Sequence, residues 1–344
     1  MKEENKRIKW VDSLKGFAII LVVIGHVADG YINSGIYPNE QNILYMIFKI
    51  IYSFHMQLFF LISGFLFATA YFKEKKLNKK NVMLQIINLC VIYLVFSVFQ
   101  WGVKVIFKNY VNDQYDIYDL LKIFIKPMPP YWYLYDLIIF YFGGILLYKF
   151  NKKYVKVILG ITISIIISYI LKLPNEIQSK LNYFLFFYLG VVWKEINLVE
   201  KTNNIIIATI LGSGMILFGL SMSFEKLQNI PIINICIALL MSVTIILIFN
   251  KNEKIFNNKI FDICGKYCLE IYVLHCFFTA LNRTLLIKMG ITNFYINFIV
   301  NSVISTIIPI LGAVLLKKMK LYNIIFKPVK TLGKRINERV ESNG

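Results

Sequence analysis

Residues 7–27 read RIKWVDSLKGFAIILVVIGHV, from Arg7 to Val27. Between Lys15 and His26 every side chain is apolar or absent. A run of this length, at about 18 residues for 13–30, is what the hydrocarbon core of a bilayer demands of a helix. Lipid offers no partner to a free peptide group, so a chain crossing it must close its own hydrogen bonds as a helix. Basic residues precede the run, but no small-x-small cleavage site ends it and polar residues interrupt it. The segment therefore reads as a retained first helix and not as a signal peptide.

Nine further runs repeat the pattern, at roughly 43–71, 82–107, 131–149, 154–172, 182–193, 203–222, 231–249, 260–287 and 294–316. The sixth is short; the second and ninth are long enough to be tilted or broken. Of the 344 residues, 58% are hydrophobic and 17% charged, against about 45–50% and 25% in soluble domains. That excess does not fit inside one water-soluble core. The expected fold class is all-α: a polytopic integral membrane protein of about ten transmembrane helices.

The net charge of +19 would point to nucleic acid in a soluble protein. Here 28 of the 38 Lys and Arg fall in alternate connections and at the two termini, which is a topology signal and argues against a nucleic-acid partner. Both termini are then expected in the cytoplasm. The longest external loop is about 108–130, with Asp113, Asp116 and Asp119. Residues 1–320 form the membrane domain, and 321–344 a basic cytoplasmic tail lying against the anionic inner leaflet. The five cysteines lie in or beside apolar runs and read as small buried hydrophobes; Cys264 and Cys268 do not have zinc or thioredoxin spacing. No metal site is expected.

Ionisable groups inside a span cost about 2.5–3.5 kcal/mol each on insertion scales, which makes them functional candidates. All three histidines, His26, His55 and His275, lie in apolar stretches. Lys15 and His26 are 11 residues apart, about three turns plus 20°, and so share a helix face with a rise of ~16 Å between them. Asp12 neighbours Lys15 at the mouth of that face. Asp29, three residues beyond His26, is expected to orient its imidazole. Such a face suits a lysine that attracts donor phosphates and a histidine acting as general base.

Other candidates are more local. His55, Ser63 and Gly64 sit in one aromatic helix, where Ser63-Gly64 permits close backbone approach. Trp132 and Tyr133 follow Pro129-Pro130 at the external start of the fourth span, suited to anchoring at the interface or to stacking on a sugar or lipid acceptor. Glu270 and His275 are five residues apart, about 140° around a helix, which argues against a direct pair.

These stretches resemble acyltransferase family 3. Residues 7–27 resemble its opening signature, an acidic residue, a basic residue and a later His, matched by Asp12, Lys15 and His26. FHMQLFFLISGFLF (54–67) resembles the second signature, YWYLYDL (131–137) the aromatic motif, and GKYCLEIYVLH (265–275) the late motif. Lys15 stands where many members carry Arg, and Gln57 where Pro is common. The resemblance implies a ten-helix bacterial cell-membrane enzyme moving acyl groups, usually acetyl, from cytoplasmic acyl-CoA to sugars of surface or exported glycans. It implies His26 as the catalytic residue and Lys15 near the CoA, with acetyl-CoA as a substrate and no bound cofactor. A transporter or flippase is the alternative reading; carriers often show two matched halves, and this sequence has no such symmetry.

Overall fold

A computed structural model describes residues 8–73, 76–106, 116–150, 153–196, 203–228, 230–252, 258–329 and 331. In chain order the helices are α1 (Lys9–Ser34), α2 (Gln41–Tyr52), α3 (His55–Tyr71), α4 (Lys79–Ile106), α5 (Ile117–Lys122), α6 (Trp132–Leu147), α7 (Tyr154–Ile170), α8 (Asn175–Ile196), α9 (Asn204–Ser223), α10 (Glu225–Gln228), α11 (Pro231–Lys251), α12 (Lys259–Lys266), α13 (Cys268–Lys288), α14 (Phe294–Lys318) and α15 (Tyr322–Phe326). The only extended pieces among the described residues are two paired dipeptides, Phe72–Lys73 and Lys76–Leu77. Six helical stretches are long and apolar enough to cross a bilayer: α1, the α2–α3 run, α4, α9, α11 and α14. Their outer faces carry isolated apolar side chains such as Ile205, Ile216 and Leu311, while the interior holds Asn297, Asn301, Ser305, His275 and Glu270. This polarity, apolar outside and polar within, is that of a protein whose solvent is lipid.

The helix ends follow local chemistry. Asn203, Asn258 and Asn293 each cap the helix that follows by accepting a backbone N–H, the role for which Asn is favoured. Asp116 and Asp119 cap α5 reciprocally. Asp113, expected in the same external loop, lies outside the described residues.

Both spans expected to be tilted or broken are broken, the second at Ser53–Phe54 and the ninth at Tyr267. The sixth is longer than its apolar run suggests, because the first turns of α8 carry Glu176, Gln178, Lys180 and Asn182, which dilute the hydropathy without ending the helix. The residues that open the fourth are packed against the ninth. Tyr131 is fully buried and donates to the carbonyl of Val273 at 2.9 Å, and the Tyr272 hydroxyl donates to the carbonyl of Pro130. Pro130 and Tyr131 are thus enclosed by the bundle, while Phe124, Ile125 and Pro129 before them are exposed.

Two glycine crossings hold the bundle. At the crossing of α3 and α8, a Cβ on Gly64 would overlap the Phe187 carbonyl, and one on Gly190 the Leu61 carbonyl. At the crossing of α1 and α12, Gly16 meets the Phe261 carbonyl and Gly265 the Asp12 carbonyl. In lipid no hydrophobic force drives helices together, so backbone approach of this kind supplies the packing energy. A polar lock joins α1, α13 and α14: Tyr31 donates to Asn297, Asn282 to Ser305 at 3.0 Å, Ser305 to Asn301 at 3.0 Å, and Asn301 to the Thr279 carbonyl at 3.1 Å.

Residues 321–329, expected at the head of the basic tail, pack on the bundle. Tyr322 donates to Glu270, and Phe326 is buried beside Phe96 with ring centroids 5.6 Å apart.

Candidate active site

Helices α1 and α13 bring His26 and His275 side by side, with ring centroids 4.8 Å apart and planes inclined by 57°. His275 is fully buried and His55 nearly so, while His26 keeps part of its ring open. Backbone carbonyls assign two of the three tautomers. Nδ1 of His275 lies 2.7 Å from the Tyr272 carbonyl and 3.2 Å from that of Ile271. Nδ1 of His55 lies 2.8 Å from the Ile51 carbonyl. A carbonyl only accepts, so each Nδ1 carries the hydrogen and each Nε2 presents a lone pair. Nε2 of His275 is 3.3 Å from Sγ of Cys276, and ligand atoms of His26, His275 and Cys276 all lie within 4.8 Å of one another. Tyr52 stands edge-on to both His26, at 6.2 Å, and His55, at 4.6 Å.

Among the described residues none hydrogen-bonds to the His26 imidazole. Asp29, expected to orient it, instead accepts from Asn33 at 3.1 Å. Asn33 lies one turn further along α1. Arg283 of α13 reaches the Gly30 carbonyl there.

An inner cavity of about 350 Å³ opens on the Lys15 end of the bundle. Lys15, Lys266 and Lys327 line it, together with Ser63, Tyr133, Glu270 and Tyr272. Lys15 is held by Asp12 at 2.6 Å. The cavity reaches Val22, one turn short of His26. Beside it lies a second basin, about 540 Å³, lined by Lys266, Lys317, Lys320 and Lys327 with Tyr322 and Asn323. The ammonium of Lys317 sits over the rings of Tyr267, at 4.2 Å, and Tyr322, at 4.4 Å. These aromatic faces hold a cation without neutralising it.

The remaining sequence candidates separate. Ser63 meets the Tyr133 hydroxyl at 2.6 Å, a partner that makes no general base, so its place is in the cavity wall. Gly64, its neighbour, is used by the α3–α8 crossing. Glu270 and His275 do not pair, as their 140° spacing requires. Trp132 and Tyr133, adjacent in sequence, part company: Tyr133 lines the inner cavity, and Trp132 lines a different one with Tyr183 on the far side of α6.

The chain matches the model of acyltransferase family 3, described as an acyltransferase domain, over residues 8–318. The protein belongs to that family. No curated protein and no solved structure matches it. The match covers the α1 face, both glycine crossings, the histidine pair and the inner cavity as far as α14. Membrership of the family and the lipid-facing helices together make this chain a membrane acyltransferase.

Sequence reading missed Tyr52, Cys276, Arg283, Lys266, Tyr322 and Lys327. The first three had only one signal, a polar or reactive side chain in an apolar run. The last two sit in a stretch that reads as a solvated tail, and nothing local distinguishes a docked segment from a free one.

Proposed function

We propose that this membrane acyltransferase takes an acyl group, acetyl in the simplest case, from cytoplasmic acyl-CoA and delivers it to a sugar hydroxyl of a cell-surface or exported glycan. The bundle would then have ten spans, with both termini in the cytoplasm of a bacterial cell. The observation that carries this reading is the inner cavity: a lysine-lined mouth whose wall reaches Val22, one turn of α1 short of His26. A CoA thioester has that shape and charge, a phosphate-rich head on a slender, weakly polar arm.

Each residue then has a part. Lys15, Lys266 and Lys327 attract the phosphates at the mouth, and Asp12 keeps Lys15 in place. Lysine serves as a point charge here, without the bidentate fork of arginine. Tyr322 and Glu270 close one wall, and Ser63 with Tyr133 the other. The acceptor hydroxyl loses its proton to His26, and its oxygen attacks the thioester carbonyl carbon. The C–S bond breaks, and the departing sulfur takes a proton back from His26. His275, with its Nδ1–H tied to two carbonyls, stands beside His26 as a neutral ring whose Nε2 carries a lone pair. Asp29 acts at a distance, through Asn33 and the outer end of α1, and not as an orienting partner of His26.

The deciding experiment is acyl-group transfer by purified protein in nanodiscs, with labelled acetyl-CoA and a mixed glycan acceptor pool, for wild type and His26→Ala. Label should move to glycan in the wild type and fall by about 10²–10⁴-fold in the variant, the usual worth of a general base. Undiminished transfer by His26→Ala would remove the proposed mechanism. Substrate uptake into vesicles with no acyl-CoA consumption would replace the enzyme with a carrier.

A further inference from the structure

Trp132 and Tyr183 form the floor of a cavity of about 330 Å³ that the steps above do not use. Their rings lie 5.3 Å apart and are inclined by 31°. The walls carry Asp136, Lys180, Glu176 and Lys126. Asp136 is the decisive group. It is 3% exposed, and its Oδ1 has no hydrogen-bond partner among the described residues. The Lys180 ammonium is 3.6 Å from that oxygen, near enough to balance charge and too far to donate well. A buried carboxylate oxygen left without a donor is costly and is rare in native structures unless something else supplies one.

We infer that this outer cavity is the acceptor subsite, and that it takes a neutral pyranose whose apolar face lies on Trp132 and Tyr183 while a ring hydroxyl donates to Asp136. The inference rests on the acyl-transfer reading above, since it names where the acceptor sits. Three features argue for a sugar. Aromatic faces with a few convergent polar groups are the make-up of a small-ligand site, and 330 Å³ is at the small end of that class. The charged groups balance, two acidic against two basic, which disfavours the polyanion that the inner mouth suits. An ionised carboxylate accepts only, so the ligand must bring hydrogens, as a polyol does.

The cavity also connects to the chemistry. Tyr183 stacks on Phe60 of α3 at 5.0 Å. Tyr52, in the helix that precedes α3, stands against His26. Asp136 and Tyr183 are specificity and positioning residues on this view, since neither touches the reacting atoms.

The test is a binding measurement that needs no turnover. Tryptophan emission of the protein in nanodiscs is titrated with methyl pyranosides of glucose, galactose, N-acetylglucosamine and rhamnose, and with the same sugars on a polyprenyl phosphate carrier. At least one should quench saturably. Asp136→Asn, which keeps the shape and removes the charge, should weaken it about tenfold. Tyr183→Leu, which leaves Trp132 as reporter, should weaken it several-fold, and it keeps the test alive should Asp136→Asn not fold. Tighter binding of the carrier-linked form would identify a membrane-anchored acceptor, and equal binding a free one. If no pyranoside quenches, or if both variants titrate like wild type, the inference is overturned. Acyl-CoA binding is measured by calorimetry on the same preparations. Its absence in wild type would bring down the donor assignment while leaving the sugar result standing, so the two failures are distinguishable.

Discussion

The two cavities flanking α6 are of similar volume, about 350 and 330 Å³, and differ in almost everything else. The inner one is lined by three lysines, on α1, on α12 and just after α15, and its one buried acid, Glu270, already has the Tyr322 hydroxyl as a donor. The outer one balances its charges and holds an acid without a donor. Their walls are built from α3 and α6 on the inner side and α6 and α8 on the outer, with α3 and α8 pinned by the Gly64–Gly190 crossing. Size therefore says little about what each site takes; the sign and the satisfaction of the charges say a great deal. A site with surplus cations awaits an anion, and a site with an unsatisfied acceptor awaits a donor.

The contrast can be broken most forcefully at that wall. Gly64→Ala should abolish folded protein, because the new methyl group overlaps backbone and no side chain can yield; fluorescence-detected size exclusion would read the loss. Gly102→Ala, at a glycine with open space around it, should behave as wild type. A monodisperse Gly64→Ala protein would show that the crossing is looser than drawn.

Next in size is an asymmetry of ligands. Lys266→Ala with Lys327→Ala should raise the acyl-CoA KM by about fivefold to twentyfold, at two- to fivefold for each solvent-exposed ion contact, and leave the acceptor KM alone. Raising the ionic strength should imitate this double variant on the donor side only. If donor and acceptor constants shift together, the two cavities are not separate sites.

Smaller still is Tyr322→Phe. It deprives Glu270 of its hydroxyl donor and should lower transfer by several-fold, with Tyr322→Ala worse, because the docked segment that carries Lys327 would come loose. Equal effects of the two substitutions would indicate that the ring contributes nothing beyond its hydroxyl.

The smallest effect is expected away from both cavities, at α5. The backbone N–H of Asp116, with Lys122 beside it, holds the Asp119 carboxyl below its ordinary value of 3.8. A depressed folded value means that the cap contributes fully above the ordinary value and is lost as pH falls through the lower one. Protection of the amides of residues 117–122, relative to their intrinsic exchange rates, should accordingly hold at neutral pH and fall only under strong acid. The Trp101 indole, which donates to the Asp116 carbonyl at 2.8 Å, should report the same transition optically. Asp116→Ala should quicken that exchange at neutral pH with transfer unchanged.

Much of this molecule was legible before any coordinates. Helix existence was, since an uninterrupted apolar run in lipid has one backbone solution. The breaks at Ser53–Phe54 and Tyr267 were foreshadowed by spans too long for a bilayer. His26, His275 and Lys15 stood out because charge and apolar surroundings conflict. The length of α8 was hidden, since its outer turns are polar for the sake of a cavity that no local rule could anticipate. Asp29 misled because helical spacing specifies a face and not a rotamer, and Asn33 on the same face was the nearer donor.

By itself, then, the sequence determined that the chain is a helical membrane protein, which family signatures it bears, and which polar side chains are out of place among apolar neighbours. Only the tertiary structure decided that Trp132 and Tyr133 serve opposite cavities, that Tyr322 and Lys327 belong to the inner wall, that Tyr52 bridges the histidines, and that Asp136 lacks a donor. The physical reason is that burial in lipid is imposed residue by residue along the chain, whereas pairing, enclosure and orphaned hydrogen bonds arise from helices far apart in sequence, and exist only once those helices have packed.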